Sequence, residues 1–152
     1  MNSLTAPARL SDVAEVEYLH VCDLAFVAEG GKQCIIGIFD VIHATSFPAT
    51  HASMSIATRL RGNPSEVVPM KLDVGRPNGD VLATIQADVT LAPDGSMFLQ
   101  LNLVGVQFPE AGRYTVKISS GGRSLATHSL HLRKIEPQLQ SAPPGAPPKT
   151  FH

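Results

Sequence analysis

Apolar and polar residues alternate along much of this chain, with a period of two. In residues 81–91 every second side chain from Val81 to Leu91 is apolar, and most residues between them are polar. Residues 97–103 repeat the pattern, with Gln100 and Asn102 between leucines. A period of two places successive side chains on opposite faces of a β-strand. No segment has the period of an amphipathic helix, so the sequence predicts an all-β protein.

Glycine-rich turns divide the chain into short strands. The strongest turn signal is Asn78-Gly79, because this pair suits the positive φ angles of a tight hairpin. We predict eight strands, at residues 17–28, 33–44, 53–61, 66–74, 81–91, 96–106, 113–119 and 125–133. Several short strands at regular spacing are typical of an antiparallel β-sandwich.

The segment 109–114 makes the sandwich prediction more specific. It resembles the corner before strand F of immunoglobulin-like domains, where a glycine bends the chain and a tyrosine packs back across it. Gly112 and Tyr114 occupy those places, although Val116 stands where such domains carry a cysteine. We therefore predict an immunoglobulin-like antiparallel β-sandwich of about eight strands.

The two ends of the chain differ from the middle. Residues 1–15 are polar and mixed, and we expect a flexible arm without a signal peptide. Residues 16–135 form the predicted sandwich domain. Residues 136–152 hold five of the twelve prolines, which predicts a disordered tail. No apolar run reaches the roughly 18 residues of a membrane-spanning helix, and we expect a cytoplasmic protein.

The first predicted hairpin carries the main candidate site. Two apolar runs flank Gly30-Gly31, and each contains one aspartate, Asp23 or Asp40. A two-residue turn at these glycines would place Asp23 opposite Ile38 and Asp40 opposite Val21, so both carboxylates would lie on one apolar face. Carboxylates there need partners, and three kinds remain open: a shared metal ion, a shared proton, or hydrogen bonds from loop amides or an arginine such as Arg59 or Arg113.

The same pairing leaves the opposite face of the hairpin apolar as well. A sandwich buries only one face of each sheet. The second face must be covered by the chain's own loops and arm, or by another subunit or partner. This candidate interface consists of Leu24, Phe26, Ile35, Phe39 and Val41.

The cysteines and histidines suggest no further site. Under this pairing Cys22 lies opposite Phe39 and Cys34 opposite Val27, so we expect both thiols to be reduced and buried. Zinc held by His20, Cys22 and His43 is conceivable, but no pair has the spacing of a zinc motif. Nucleophile and phosphate-loop motifs are missing too. We expect no cofactor and no catalytic residue.

The balance of charge argues against nucleic acid as a partner. Twelve Lys plus Arg against thirteen Asp plus Glu give a net charge of −1, so no basic surface for nucleic acid is expected. We expect no membrane contact either, and consider a protein partner or a homo-oligomer.

Several short motifs, taken in order, resemble a known family. They are Cys22-Asp23, Gly30-Gly31-Lys32, Ile36-Gly37-Ile38-Phe39-Asp40, Ser46-Phe47-Pro48, Arg59-Leu60-Arg61-Gly62, Pro77-x-Gly79 and Phe108-Pro109-x-x-Gly112-x-Tyr114. This pattern, over about residues 16–133, is similar to a family of small bacterial all-β proteins of unknown function. The resemblance implies a cytoplasmic β-domain and no catalytic residues.

These observations favour a non-catalytic protein-interaction or assembly module. Two alternatives remain: a small metal- or ligand-binding enzyme centred on Asp23 and Asp40, and a structural component of a phage-like or secretion-type particle.

Overall fold

This computed structural model describes residues 13–137, which contain nine β-strands. The strands are β1 Glu15–Ala28, β2 Lys32–Ile38, β3 Val41–Ala44, β4 Ala49–Arg61, β5 Val67–Gly75, β6 Val81–Thr90, β7 Ser96–Phe108, β8 Gly112–Ser120 and β9 Arg123–Lys134. Within this range no helix is long and apolar enough to cross a membrane. The predicted arm and tail lie almost wholly outside the described residues.

The strands form two sheets. The first sheet has the order β2-β1-β4-β7, and the second has the order β3-β9-β8-β5-β6. Neighbouring strands are antiparallel except for β3, which runs parallel to β9. The all-β sandwich prediction is confirmed.

The core lies between the sheets because the period-two pattern aims one apolar face of each sheet inward. Val21 and Ile56 are paired in the first sheet, and Leu72 and Ile118 are paired in the second. All four side chains are buried in one continuous cluster. Full burial of such side chains contributes about 1.5–3 kcal/mol each to folding.

The corner between β7 and β8 has the predicted tyrosine geometry. The Tyr114 hydroxyl donates to the Glu110 carbonyl oxygen at 2.8 Å and accepts from the Glu110 backbone N–H at 3.2 Å. Its ring meets Phe108 edge-on, with 5.1 Å between centroids. Burial raises the pKa of the Tyr114 hydroxyl. The corner and the two-sheet arrangement confirm an immunoglobulin-like sandwich.

The predicted second strand, residues 33–44, is wrong as a single element. The chain forms β2 in the first sheet, crosses at Phe39 and Asp40, and continues as β3 in the second sheet. Phe39 N–H donates to the Val21 carbonyl oxygen at 2.9 Å, whereas the Asp40 carbonyl oxygen accepts from His131 N–H at 2.8 Å. These bonds tie consecutive residues to different sheets, so the strand must break between them.

Candidate functional site

The first hairpin, β1 and β2, pairs one residue away from the predicted register. Cys22 lies opposite Ile38, Leu24 opposite Ile36, and Ala28 opposite Lys32. The loop therefore contains three residues, with Gly31 N–H donating to the Ala28 carbonyl oxygen at 3.1 Å. A shift of one residue moves every side chain of β2 to the other face of its strand.

This shift changes which apolar side chains lie together. Leu24 and Ile36 are paired across the hairpin, and Ile38 lies two residues further along β2; the three are 48%, 51% and 55% exposed. We call these three residues the hairpin face. Phe26, which is paired with Cys34, is half-buried. The hairpin face is an apolar surface that the described chain leaves open to solvent.

The predicted interface is therefore only partly one surface. Leu24 belongs to the hairpin face, but Ile35 pairs with Ala25 and packs in a small cluster with Cys22 and Ala25. Phe39 lies at the crossover and packs against the main core, and Val41 belongs to β3 in the second sheet. Ile36, which pairs with Leu24, was not part of the predicted interface because the predicted register was one residue away from the observed one.

The two aspartates do not share a buried face. Both are exposed, and Asp40 lies in the crossover instead of on the β1–β2 ladder. Asp23 lies beside Gly37, where its carboxylate occupies the space that a Cβ would take. The expected arginine partners are used elsewhere. Arg59 pairs with Glu17 at 3.2 Å, and Arg113 Nε donates to Ser129 Oγ at 2.9 Å.

Asp23 does line a small open cavity of about 390 Å³ beside the crossover. His43 and His51 are in its wall, and the His51 ring lies 5.6 Å from that of Phe39, centroid to centroid. Asp40 is not among the lining residues. Across residues 13–137 no three His, Cys, Asp or Glu side chains are grouped closely enough to hold a metal ion.

The suggested zinc ligands are also apart. His20 and Cys22 are in β1, whereas His43 is in β3 of the other sheet. Both cysteines are free, as predicted, although only Cys22 is fully buried. Burial, with a smaller contribution from the Asp23 carboxylate, raises the pKa of the Cys22 thiol. A thiol that stays protonated is a poor nucleophile and a poor metal ligand.

The surroundings of His128 were not predicted from the sequence. Burial lowers the pKa of this imidazole, and His20 lowers it further, while Asp40 and a hydrogen bond with the Phe39 backbone raise it. Its Nε2 atom is buried without a hydrogen-bond partner. The alternation of His128 with Leu130 and Leu132 was the available signal, since both leucines are buried.

A second concave surface lies on the outer face of the second sheet. This groove, about 580 Å³, is lined mainly by polar residues of β5, β6 and β8. Asp73 accepts from Thr84 Oγ1 at 2.7 Å and forms an ion pair with Lys71 at 3.6 Å. Asp73 is therefore paired with neighbouring side chains of the same sheet.

Together these features define an immunoglobulin-like β-sandwich with an open apolar hairpin. The model of a family of unknown function, DUF6941, matches residues 17–133, and the chain belongs to this family. That membership confirms the resemblance to an uncharacterised all-β family.

Solved structures show the same fold at low identity. The DNA-bound alkylpurine DNA glycosylase AlkC of Pseudomonas fluorescens is 11% identical, with a TM-score of 0.52 over 79% of this chain and 30% of that chain. This chain thus corresponds to less than a third of the glycosylase. The C-terminal domain of wzt is 11% identical, with a TM-score of 0.50 over 80% of this chain and 74% of that one.

An immunoglobulin-like protein of Pseudomonas aeruginosa is 16% identical, with a TM-score of 0.44 over 79% of this chain and 96% of that chain. Among the curated proteins no match was found. At 11% identity the glycosylase and the wzt domain show the fold alone.

Proposed function

We propose that this protein is a non-catalytic interaction module that docks a protein partner on its hairpin face. The observation that carries the proposal is the exposure of Leu24, Ile36 and Ile38, each about half exposed. Leu24 and Ile36 are paired across the β1–β2 ladder, and Ile38 is two residues away on β2. Single exposed apolar residues are ordinary, but neighbouring ones on one surface often mark a site of interaction.

The position of the hairpin face suits a docking surface. β2 is an edge strand of the first sheet, so a partner can approach it from the side as well as from above. β1 is held between β2 and β4, which gives the surface a rigid support. A preformed apolar surface loses little conformational entropy when it binds.

We also propose a cellular location and a non-catalytic role. We place the protein in the cytoplasm, where Cys22 and Cys34 would remain reduced. We assign it no catalytic step. The enzyme alternative depended on two buried carboxylates on one face. Asp23 and Asp40 are instead exposed, and only Asp23 lines the cavity beside the crossover. Membership of a phage-like or secretion-type particle would be one setting for the same docking.

Affinity capture from the native cell tests this proposal. Ile36→Asp places a charge in the hairpin face, and Val81→Asp is the matched control, because Val81 is 57% exposed on β6 of the other sheet. We expect wild type and V81D to retain the same partner, while I36D retains at least about tenfold less, as when a central interface residue is lost. Equal recovery by both variants would refute docking at this face.

A further inference from the structure

The strand β7 is an edge strand that lacks the usual protection against pairing. It ends the order β2-β1-β4-β7, so among the described strands it pairs only with β4. Its thirteen residues, Ser96–Phe108, include no charged residue and no proline. Natural proteins protect long edge strands with charges, prolines, bulges or short length, because unpaired N–H and C=O groups invite another strand.

The other three edges of the sandwich do carry such features. β3 has only four residues, and β6 contains Asp88. β2 begins with Lys32 and has Gly37 at a φ of +69°. β7 has one irregular position, Gly105 at a φ of +65°, and this glycine follows the segment 98–104. That segment is therefore the unprotected part of the edge.

The sequence of segment 98–104 is symmetric in residue type about Leu101. On either side of this leucine the order is amide, leucine and large apolar residue: Gln100, Leu99 and Phe98 in one direction, Asn102, Leu103 and Val104 in the other. When a strand pairs with a second copy of itself in the antiparallel sense, each residue meets the one related to it by the two-fold axis. An axis at Leu101 would therefore pair like with like at every position.

The surroundings of these side chains fit that pairing. Leu99, Leu101 and Leu103 pack against the core but are only partly buried. Val104 is 80% exposed, the highest value among the exposed large hydrophobic residues. A second copy would bring its own leucines beside these leucines and its Phe98 beside Val104, which covers apolar surface on both faces of the strand.

The two amides also complement each other. The Ser55 hydroxyl donates to Asn102 Oδ1 at 2.6 Å, so the Asn102 amino group is left to donate. Gln100 is exposed, and it would offer its carbonyl oxygen to Asn102 of the second copy. The two-fold axis creates this amide pair twice.

We infer that β7 pairs with β7 of a second copy of this chain, in the antiparallel sense and centred on Leu101, which joins two first sheets into one eight-stranded sheet. This inference goes beyond the proposed function, because it uses the opposite edge of the first sheet and a different occupant.

Charge exchange at positions 100 and 102 tests both the pairing and its register. The variants Q100E/N102E and Q100K/N102K place like charges opposite each other twice, whereas Q100E/N102K places opposite charges there twice. Like charges directly across a ladder are unfavourable. We expect sedimentation equilibrium to show a dimer for the wild type and equally strong association for Q100E/N102K. Both like-charged variants should associate at least about tenfold more weakly.

Folding provides an internal control for this comparison. Glutamate at position 102 can still accept from Ser55, while lysine cannot. A simple loss of stability would therefore affect Q100E/N102K more than Q100E/N102E, which is the reverse of the expected order for association. A monomeric wild type at tens of micromolar, or equal association of all three variants, would overturn the inference.

If the like-charged variants do not fold, the wild type decides the question alone. Amide hydrogen exchange in segment 98–104 should slow as protein concentration rises, because the second copy protects the free edge. Exchange that is independent of concentration would also overturn the inference.

Discussion

Gly37 and Asp23 form the contact on which the register of the first hairpin depends. Gly37 has a φ of +69°, and a Cβ there would overlap the Asp23 carboxylate. In the observed structure Gly37, which has no side chain, lies beside Asp23. The predicted register would have placed Ile38 there. Glycine at position 37 therefore leaves room for the Asp23 carboxylate.

Gly37→Ala should destabilise the protein through both overlap and backbone strain. Gly30→Ala is the matched control, since Gly30 has a φ of +80° and nothing within 4 Å of the added Cβ. We expect G37A to lower the free energy of unfolding by about 1–3 kcal/mol more than G30A, measured by urea denaturation. In the D23A background the difference should shrink. An unchanged difference would show that Asp23 is not the obstructing group.

His128 makes stability depend on pH in a defined direction. Because burial lowers the pKa of this imidazole in the folded state, the unfolded chain binds its proton more readily. The resulting stability is fully present above the ordinary histidine pKa of about 6.5 and is lost as pH falls through the lower folded-state pKa. The nearby groups are His20, which strengthens this effect, and Asp40, which opposes it.

Urea denaturation at about pH 7.5, 6.5 and 5 should therefore show that the stability of the wild type falls as the pH falls. His128→Gln should flatten this loss, whereas His43→Gln, at an exposed position on β3, should not. Equal pH dependence of wild type and H128Q would contradict this role for His128.

At the level of the strands, the sequence predicted most elements but misplaced the first hairpin. Alternation located β5 and β6, because their buried residues fall on one face. β4 begins at Ala49, four residues before its predicted start, and the middle of this strand is buried on both faces. In β1, β2 and β3 apolar residues occur on both faces, so alternation could determine neither the register nor the break. Asp40, a polar residue inside an apolar run, was the one sequence signal of the crossover.

The corner between β7 and β8 was predictable because its chemistry is local. Tyr114 and its partner Glu110 are four residues apart, and both hydrogen bonds are made to backbone atoms. The candidate surface depends on contacts between distant residues. Leu24 meets Ile36 only if the loop contains three residues, and no local pattern distinguishes that loop from one of two.

Tyr114→Phe should destabilise this corner. The change keeps the buried ring beside Phe108 but leaves the Glu110 carbonyl and N–H groups without their partner. We expect a loss of about 1–3 kcal/mol in the free energy of unfolding, measured by thermal or urea denaturation. Tyr18→Phe is the control, because the Tyr18 hydroxyl bonds to Gln33 in an exposed position. Equal losses in both variants would contradict a structural role for the corner.

At the scale of the molecule, the outer faces of the two sheets differ in character. The first sheet exposes Leu24, Ile36, Ile38 and Val104 within its strands. The second sheet has a polar groove on its outer face, and its exposed Val67 and Val81 are the first residues of β5 and β6. This difference is our reason for assigning interaction to the first sheet, through the hairpin face and the β7 edge.

Cross-linking from a defined position tests the claim that a protein partner contacts the hairpin face. A photoreactive amino acid is placed at position 36 and, separately, at position 81 in the native cell. The account predicts that position 36 cross-links to one reproducible polypeptide of different sequence and that position 81 does not. Cross-links of equal yield from both positions, or cross-links from position 36 only to copies of this chain, would contradict the claim.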